Sequence, residues 1–176
     1  EFTYATPNNE DIKISVAHLV LNDQESILKF QEDFRNLKAD FLSIQTPIEP
    51  TLEQQLTQKL SQILPYWEKT ICSNNLALFV FSKYELRNLD TLYCDYTKTV
   101  SLAGTMFIDS MHKEVSFLST RVLVGGSEQN QTRKQLASLS NYINKNCQDK
   151  PLITFSGSEL VAWSPEVRAF RLAHKL

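Results

Sequence analysis

Runs of apolar or alternating residues recur along the chain and predict a series of β-strands. Ile12–Val16 alternates apolar and polar residues, as a half-buried strand does, and the pattern continues to Leu21. Leu76–Phe81 is apolar at nearly every position, which predicts a central strand covered on both faces. The remaining predicted strands are Asp40–Gln45, Lys69–Cys72, Val100–Ile108, Val115–Val124 and Leu152–Phe155.

Helical periodicity fills the stretches between several of these strands. Leu52, Leu56, Leu60 and Ile63 recur every three or four residues and predict a helix that ends before Pro65. The other predicted helices are Ile27–Leu37, Gln129–Asn146 with Leu136, Leu139 and Ile143 inward, and one that begins at Ser164-Pro165. This order of elements predicts a layered α/β domain with helices outside, covering residues 1–176 as a single domain.

Composition narrows the classes of protein that the chain can belong to. A hydrophobic content of 42% and a charged content of 22% are ordinary for a globular domain. The net charge is −2 and the basic residues are scattered, which argues against a strong nucleic-acid binder. The three cysteines, Cys72, Cys94 and Cys147, are far apart, so we expect ordinary thiols and no structural zinc. No apolar run reaches membrane-spanning length.

The segment Pro151–Glu166 has the order strand, turn and helix start, which is where α/β folds often build sites. Its centre, Ser156-Gly157-Ser158, is predicted to be a turn. It lacks the Gly-x-Ser-x-Gly pattern of serine hydrolases. The carboxylates considered for chemistry are Asp23, Glu25, Asp40, Asp109 and Glu159. Glu159 is the best placed, and one carboxylate can help to hold magnesium, although a lone loop Glu is usually only solvated.

Several stretches in this order resemble the endonuclease/exonuclease/phosphatase family of magnesium-dependent phosphodiesterases. Asp40–Thr46 resembles the family's "Asp-hydrophobic-hydrophobic-x-hydrophobic-Gln-Glu", whose Glu binds the metal, and Pro151–Pro165 resembles its "Gly-Asp-Phe-Asn" segment with a final Trp-Ser-Pro. The other similar stretches are Ile12–His18, Leu76–Leu86 and Val115–Leu136. The resemblance implies an α/β (α+β) fold, a two-layer β-sandwich flanked by helices (αββα). The family's final Asp-His lies beyond residue 176, so we expect a domain truncated at its C-terminus, a piece of a longer protein.

The chain departs from the family at the positions that carry chemistry. His18 stands in place of the family's Asn, Thr46 in place of its metal-binding Glu, and Arg121 in place of its His. Gly157 replaces an Asp and Glu159 replaces an Asn. Losing one general acid or base typically costs about 10²–10⁴ in rate. The sequence therefore predicts a catalytically inactive domain without a cofactor, retained as a binding or scaffolding module.

Two other interpretations stay open. One is a divergent magnesium-dependent phosphodiesterase or phosphatase with a rearranged site, in which Glu159 holds the metal and His18 serves in acid–base chemistry. The other is an ordinary α/β domain outside the family. For the inactive module, we expect a protein partner or self-association rather than nucleic acid. Trp163-Ser164-Pro165 resembles bacterial members that carry this domain behind membrane helices, which implies a soluble domain of a membrane-associated bacterial protein, tethered outside this chain.

Overall fold

The computed structural model describes residues 14–21, 29–30, 38–72, 75–94, 99–122, 129–148, 150–158 and 165–174. These residues form two four-stranded sheets. The first sheet contains β1 (Val16–Val20), β2 (Phe41–Pro47), β3 (Tyr66–Cys72) and β4 (Leu76–Ser82) in the order β1-β2-β4-β3. The second contains β5 (Glu85–Cys94), β6 (Thr99–Ile108), β7 (Lys113–Val122) and β8 (Leu152–Ser158) in sequence order. The helices are α1 (Pro50–Leu60), α2 (Gln129–Asn146) and α3 (Pro165–His174).

The two sheets pack face to face around an aromatic core. The Phe41 ring stacks on Phe155 and lies tilted against Phe117, with 5.0 Å between centroids in both pairs. Leu78 and Met106 are fully buried in the same cluster. The outer face of the first sheet is covered by α1 and that of the second by α2. The predicted αββα sandwich is confirmed.

Helix α1 forms where the leucine periodicity predicts it. Leu52, Leu56 and Leu60 are buried against the outer face of the first sheet, and Pro50 occupies the first turn, where its missing N–H is not needed. Burying each leucine stabilises the fold by roughly 1.5–3 kcal/mol. The prediction for Ile63 is wrong: α1 ends at Leu60, and Ile63 is 44% exposed. Leu64 is buried in its place, because the turn after α1 changes the direction of the chain.

Helix α2 spans the predicted residues Gln129–Asn146 and covers the second sheet. Leu136, Leu139 and Ile143 are buried and pack on Ala103 and Leu118 of the sheet. The three cysteines are buried and free, which confirms the prediction of ordinary thiols. None of the helices in the described ranges is long and apolar enough to cross a membrane.

Two segments differ from the sequence prediction. Strand β5 was not predicted; it lies at a sheet edge, and its register shifts between Arg87 and Asp90. Ser156-Gly157-Ser158, predicted to be a turn, continues β8, because these residues pair in parallel with the end of β7. Pairing with a neighbouring strand here outweighs the turn preference of Gly and Ser. The predicted helix Ile27–Leu37 lies outside the described residues except at positions 29–30, which are helical.

Candidate functional site

Strands β1, β2, β7 and β8 end at the same edge of the sandwich. Strand β1 runs parallel to β2, and β7 runs parallel to β8. Phe41 of β2 contacts Phe117 of β7, and two residues further along both strands Ser43 contacts Ser119. Strands β2 and β7 therefore advance in the same direction across the core. We call the place where β1, β2, β7 and β8 end the strand-end edge.

A chain of hydrogen bonds joins the two sheets just before this edge. The Oγ atoms of Ser43 and Ser119 are 2.6 Å apart, and both residues are completely buried. The Ser43 Oγ also lies 2.9 Å from Nδ1 of His18 on the neighbouring strand β1. The His18 ring is 6.3 Å from the ring of Phe155 on β8. His18 therefore sits between the sheets, where the resemblance placed the family's Asn.

The surroundings of His18 favour its neutral form. Burial lowers the pKa of the imidazole, because a charged ring is poorly solvated there. Nδ1 is engaged by Ser43, whereas Nε2 is enclosed and has no hydrogen-bond partner. At neutral pH the ring is uncharged, so it adds hydrogen bonding but no positive charge to the edge.

Gln45 and Arg121 come two residues after the serine pair, one on each sheet. Gln45 pairs with Leu78 of the inner core, which places it on the inner face; its Oε1 is buried without a partner. The alternation of β7 places Arg121 on the inner face as well. Burial raises the pKa of the Cys72 thiol at the end of β3, and the charge of Arg121 opposes that shift. A cation thus faces the core where the family has His.

The other predicted positions divide between two faces. Thr46 pairs with Ala77, which packs in the cluster under α1, so Thr46 lies on the helix side of the sheet rather than between the sheets. It is buried, and its Oγ1 has no partner. Gly157 pairs with Arg121 across the β7–β8 ladder, which brings these two predicted positions together. Glu159 lies outside the described residues.

Few of the described carboxylates that could bind magnesium lie at this edge. Asp40 precedes β2 and pairs with Lys83, and Asp109 lies in the turn between β6 and β7, so both are at the opposite end of the sandwich. Glu49, exposed just after β2, reaches the strand-end edge alone. Within the described ranges, no three His, Cys, Asp or Glu side chains are grouped so that they could hold a metal. The described residues at this edge therefore do not form a site for magnesium, the ion that the resemblance implies.

Sequence reasoning missed three residues that shape the site. Ser43 interrupts the apolar stretch Phe41–Ile44, and this interruption was an available signal. Ser119 is followed by Thr120 and Arg121 in β7, so the local sequence gave no such signal for it. Gln135, fully buried on α2, donates from Nε2 to the carbonyl oxygen of Arg121 at 2.7 Å. This bond fixes the end of β7 to α2.

Comparison with solved structures identifies the fold: the chain has the sandwich of the endonuclease/exonuclease/phosphatase class, as the resemblance predicted. It is similar to truncated TDP2 of Caenorhabditis elegans (TM-score 0.66, 16% identity, 88% of this chain and 64% of that chain). It is also similar to TDP2 of D. rerio (0.68, 14%, 91% and 65%) and to an AP endonuclease of Archaeoglobus fulgidus (0.66, 12%, 93% and 70%). The chain thus spans about two thirds of these chains. No protein-family model and no curated protein matches it.

Proposed function

We propose that this chain is a catalytically inactive domain of this fold that acts as a binding or scaffolding module. The observation that supports the proposal is the chemistry of the side chains at and beside the strand-end edge. There His18 is neutral, Arg121 is a cation, and Thr46 faces the helix side of its sheet. None of these three described residues supplies the carboxylate that a metal-dependent phosphodiesterase needs.

The losses reinforce one another. Thr46 has no charge, and the next Glu along the chain, Glu49, is exposed between β2 and α1. Gly157 has no side chain to orient or deprotonate water. Residues that act as a unit in catalysis do not lose function independently, so several missing members remove most of the rate enhancement.

The divergent enzyme, with Glu159 and His18 in new roles, is the less favoured alternative. Nδ1 of His18 is engaged by Ser43, which is completely buried, and Nε2 is enclosed. A general base must come within hydrogen-bond reach of the proton that it removes. In this arrangement, neither ring nitrogen is open to a substrate.

For the partner, we propose a protein or a second copy of the chain rather than nucleic acid. The net charge of −2 and the scattered basic residues support this choice. Single-stranded DNA is the nucleic acid against which this choice should be tested, because the D. rerio TDP2 structure is a complex with a single-stranded DNA product. We also propose that residues 1–176 form one domain of a longer bacterial protein whose membrane tether lies outside this chain.

One experiment with labelled single-stranded DNA and magnesium or manganese tests two parts of the proposal, that the domain does not catalyse cleavage and that its partner is not nucleic acid. Fluorescence anisotropy measures binding and gel electrophoresis measures cleavage in the same samples. We expect no cleavage, and at physiological salt no affinity tighter than the non-specific range of about 10⁻⁴–10⁻⁶ M. Cleavage that disappears in Glu159→Gln would establish the enzyme alternative. Tight, uncut binding that weakens in Arg121→Gln would establish a nucleic-acid partner instead.

A further inference from the structure

A polar cavity of about 380 Å³ lies on the α2 side of the second sheet, the face opposite the inner core. Small-ligand pockets have volumes of about 300–1,000 Å³ and a few well-placed polar groups. Its polar lining includes Asn88, Asp90, Thr105, Ser116, Tyr142 and Lys150. The cavity is therefore separate from the strand-end edge and large enough for a small molecule.

The cavity is bordered by the irregularity in β5. Between Arg87 and Asp90 the strand carries an extra residue, and Asn88 has a left-handed φ of 50°. Asn88 Nδ2 donates to Thr105 Oγ1 at 3.3 Å, and Thr105 Oγ1 donates to the Arg87 carbonyl oxygen at 3.2 Å. β-Bulges often redirect side chains beside binding sites. Here the bulge is held by hydrogen bonds from its own side chain and the neighbouring strand.

Ser116 provides an independent indication of a ligand. Only 1% of this residue is exposed, it lines the cavity, and its Oγ has no hydrogen-bond partner. An unpaired buried hydroxyl is destabilising, and alanine would fill the same place without that penalty. A ligand hydroxyl in the cavity would satisfy it.

The charges around the cavity favour a cation. Asp90 is exposed and makes no ion pair with a described residue, whereas the Lys150 ammonium is engaged by Glu114. Burial raises the pKa of the Tyr142 hydroxyl, and Asp90 and Cys147 raise it further. The C-terminal end of α2 adds partial negative charge through the helix dipole.

We propose that this cavity binds a small organic ammonium compound that carries hydroxyl groups, with its ammonium at Asp90 and a hydroxyl at Ser116. D-Glucosamine and D-glucose form a matched pair of probes, because they differ in one ammonium group and have nearly the same size. The full chain is titrated with each sugar by calorimetry, at a pH where the amine is protonated.

We expect glucosamine to bind at least about tenfold more tightly than glucose. Asp90→Asn removes this preference, whereas Glu49→Gln, which removes a carboxylate on the other sheet's side, preserves it. Ser116→Ala weakens the binding of both sugars and does not lower the melting temperature. Equal affinities for the two sugars, absence of saturable binding, or a preference that survives Asp90→Asn would overturn the proposal. A Ser116→Ala variant that melts earlier but binds normally would assign Ser116 a structural role and refute its contact with the ligand.

Discussion

The His18 imidazole is enclosed between two sheets, and protonating it in the folded chain is unfavourable. Its pKa in the folded state lies below the unfolded value, so the unfolded chain takes up a proton first as the pH falls. The contribution of His18 is therefore constant above the unfolded pKa of about 6.5. Stability is then lost as the pH falls from that value through the folded pKa.

Replacing His18 tests this linkage. In His18→Asn, the free energy of unfolding should fall less than in the parent chain between about pH 7.5 and about pH 5, a range that brackets the reference pKa of histidine. The reason is that the variant has no imidazole at this position to take up a proton. Urea denaturation at several pH values measures the difference. His112→Asn is the matched control, because His112 is exposed and has a left-handed φ of 50° that Asn tolerates. An acid loss in His18→Asn equal to that of the control would contradict the assignment.

The sequence alone located some residues of the site and could not locate others. His18, Thr46 and Arg121 were found because the resemblance aligns them with functional positions of the family. The side of the sheet on which each side chain lies was not predictable. Thr46 lies on the α1 side, which follows only from its pairing with Ala77. The contact between Ser43 and Ser119 joins residues 76 positions apart, and no local pattern encodes it.

At the scale of elements, the junction of β2 and β7 is where a polar contact replaces apolar ones between the sheets. The Ser43 hydroxyl has two side-chain partners, His18 and Ser119, whereas among the described residues the Ser119 hydroxyl contacts only Ser43. Leaving a buried polar group unpaired costs about 1–3 kcal/mol. The two serines should therefore be energetically coupled and unequal.

A double-mutant cycle measures that coupling. Ser43→Ala should destabilise the chain more than Ser119→Ala, because it leaves both the His18 ring and the Ser119 hydroxyl unpaired. The double variant should lose less than the sum of the two single losses, with a coupling of about 0.5–3 kcal/mol by urea denaturation. Ser110→Ala, in the exposed turn after β6, is the control and should change stability by less than about 0.5 kcal/mol. Additive losses would mean that the 2.6 Å contact does not link the sheets energetically.

Elements with strong periodicity were predictable, and those decided by their neighbours were not. The leucine spacing predicts α1 because one face of that helix is buried, and the apolar run predicts β4 because both faces of that strand are buried. Strand β5 has polar residues at its bulge and an exposed edge position, which hides any alternation. The local sequence at the end of β8 predicts a Gly-Ser turn, but these residues form a strand because they pair with β7.

In the whole molecule, two parallel strand pairs in facing sheets bring the ends of β1, β2, β7 and β8 to one edge. This architecture could be predicted through the resemblance, because the order of several short motifs carries more information than any of them alone. The chemistry does not follow from the architecture. The same fold can carry a metal-dependent catalyst or a binding surface, and the residues at the edge decide which one it is.

We infer that the strand-end edge does not hold a catalytic metal, and calorimetric titration with magnesium and manganese tests this inference. The parent chain is compared with Glu159→Gln and Glu49→Gln, the two carboxylates that sequence and structure place nearest the edge. We predict no saturable binding of either ion to the parent chain, and the same heats for both variants. A saturable site that disappears in Glu159→Gln and persists in Glu49→Gln would refute this inference and favour the divergent metal-dependent enzyme.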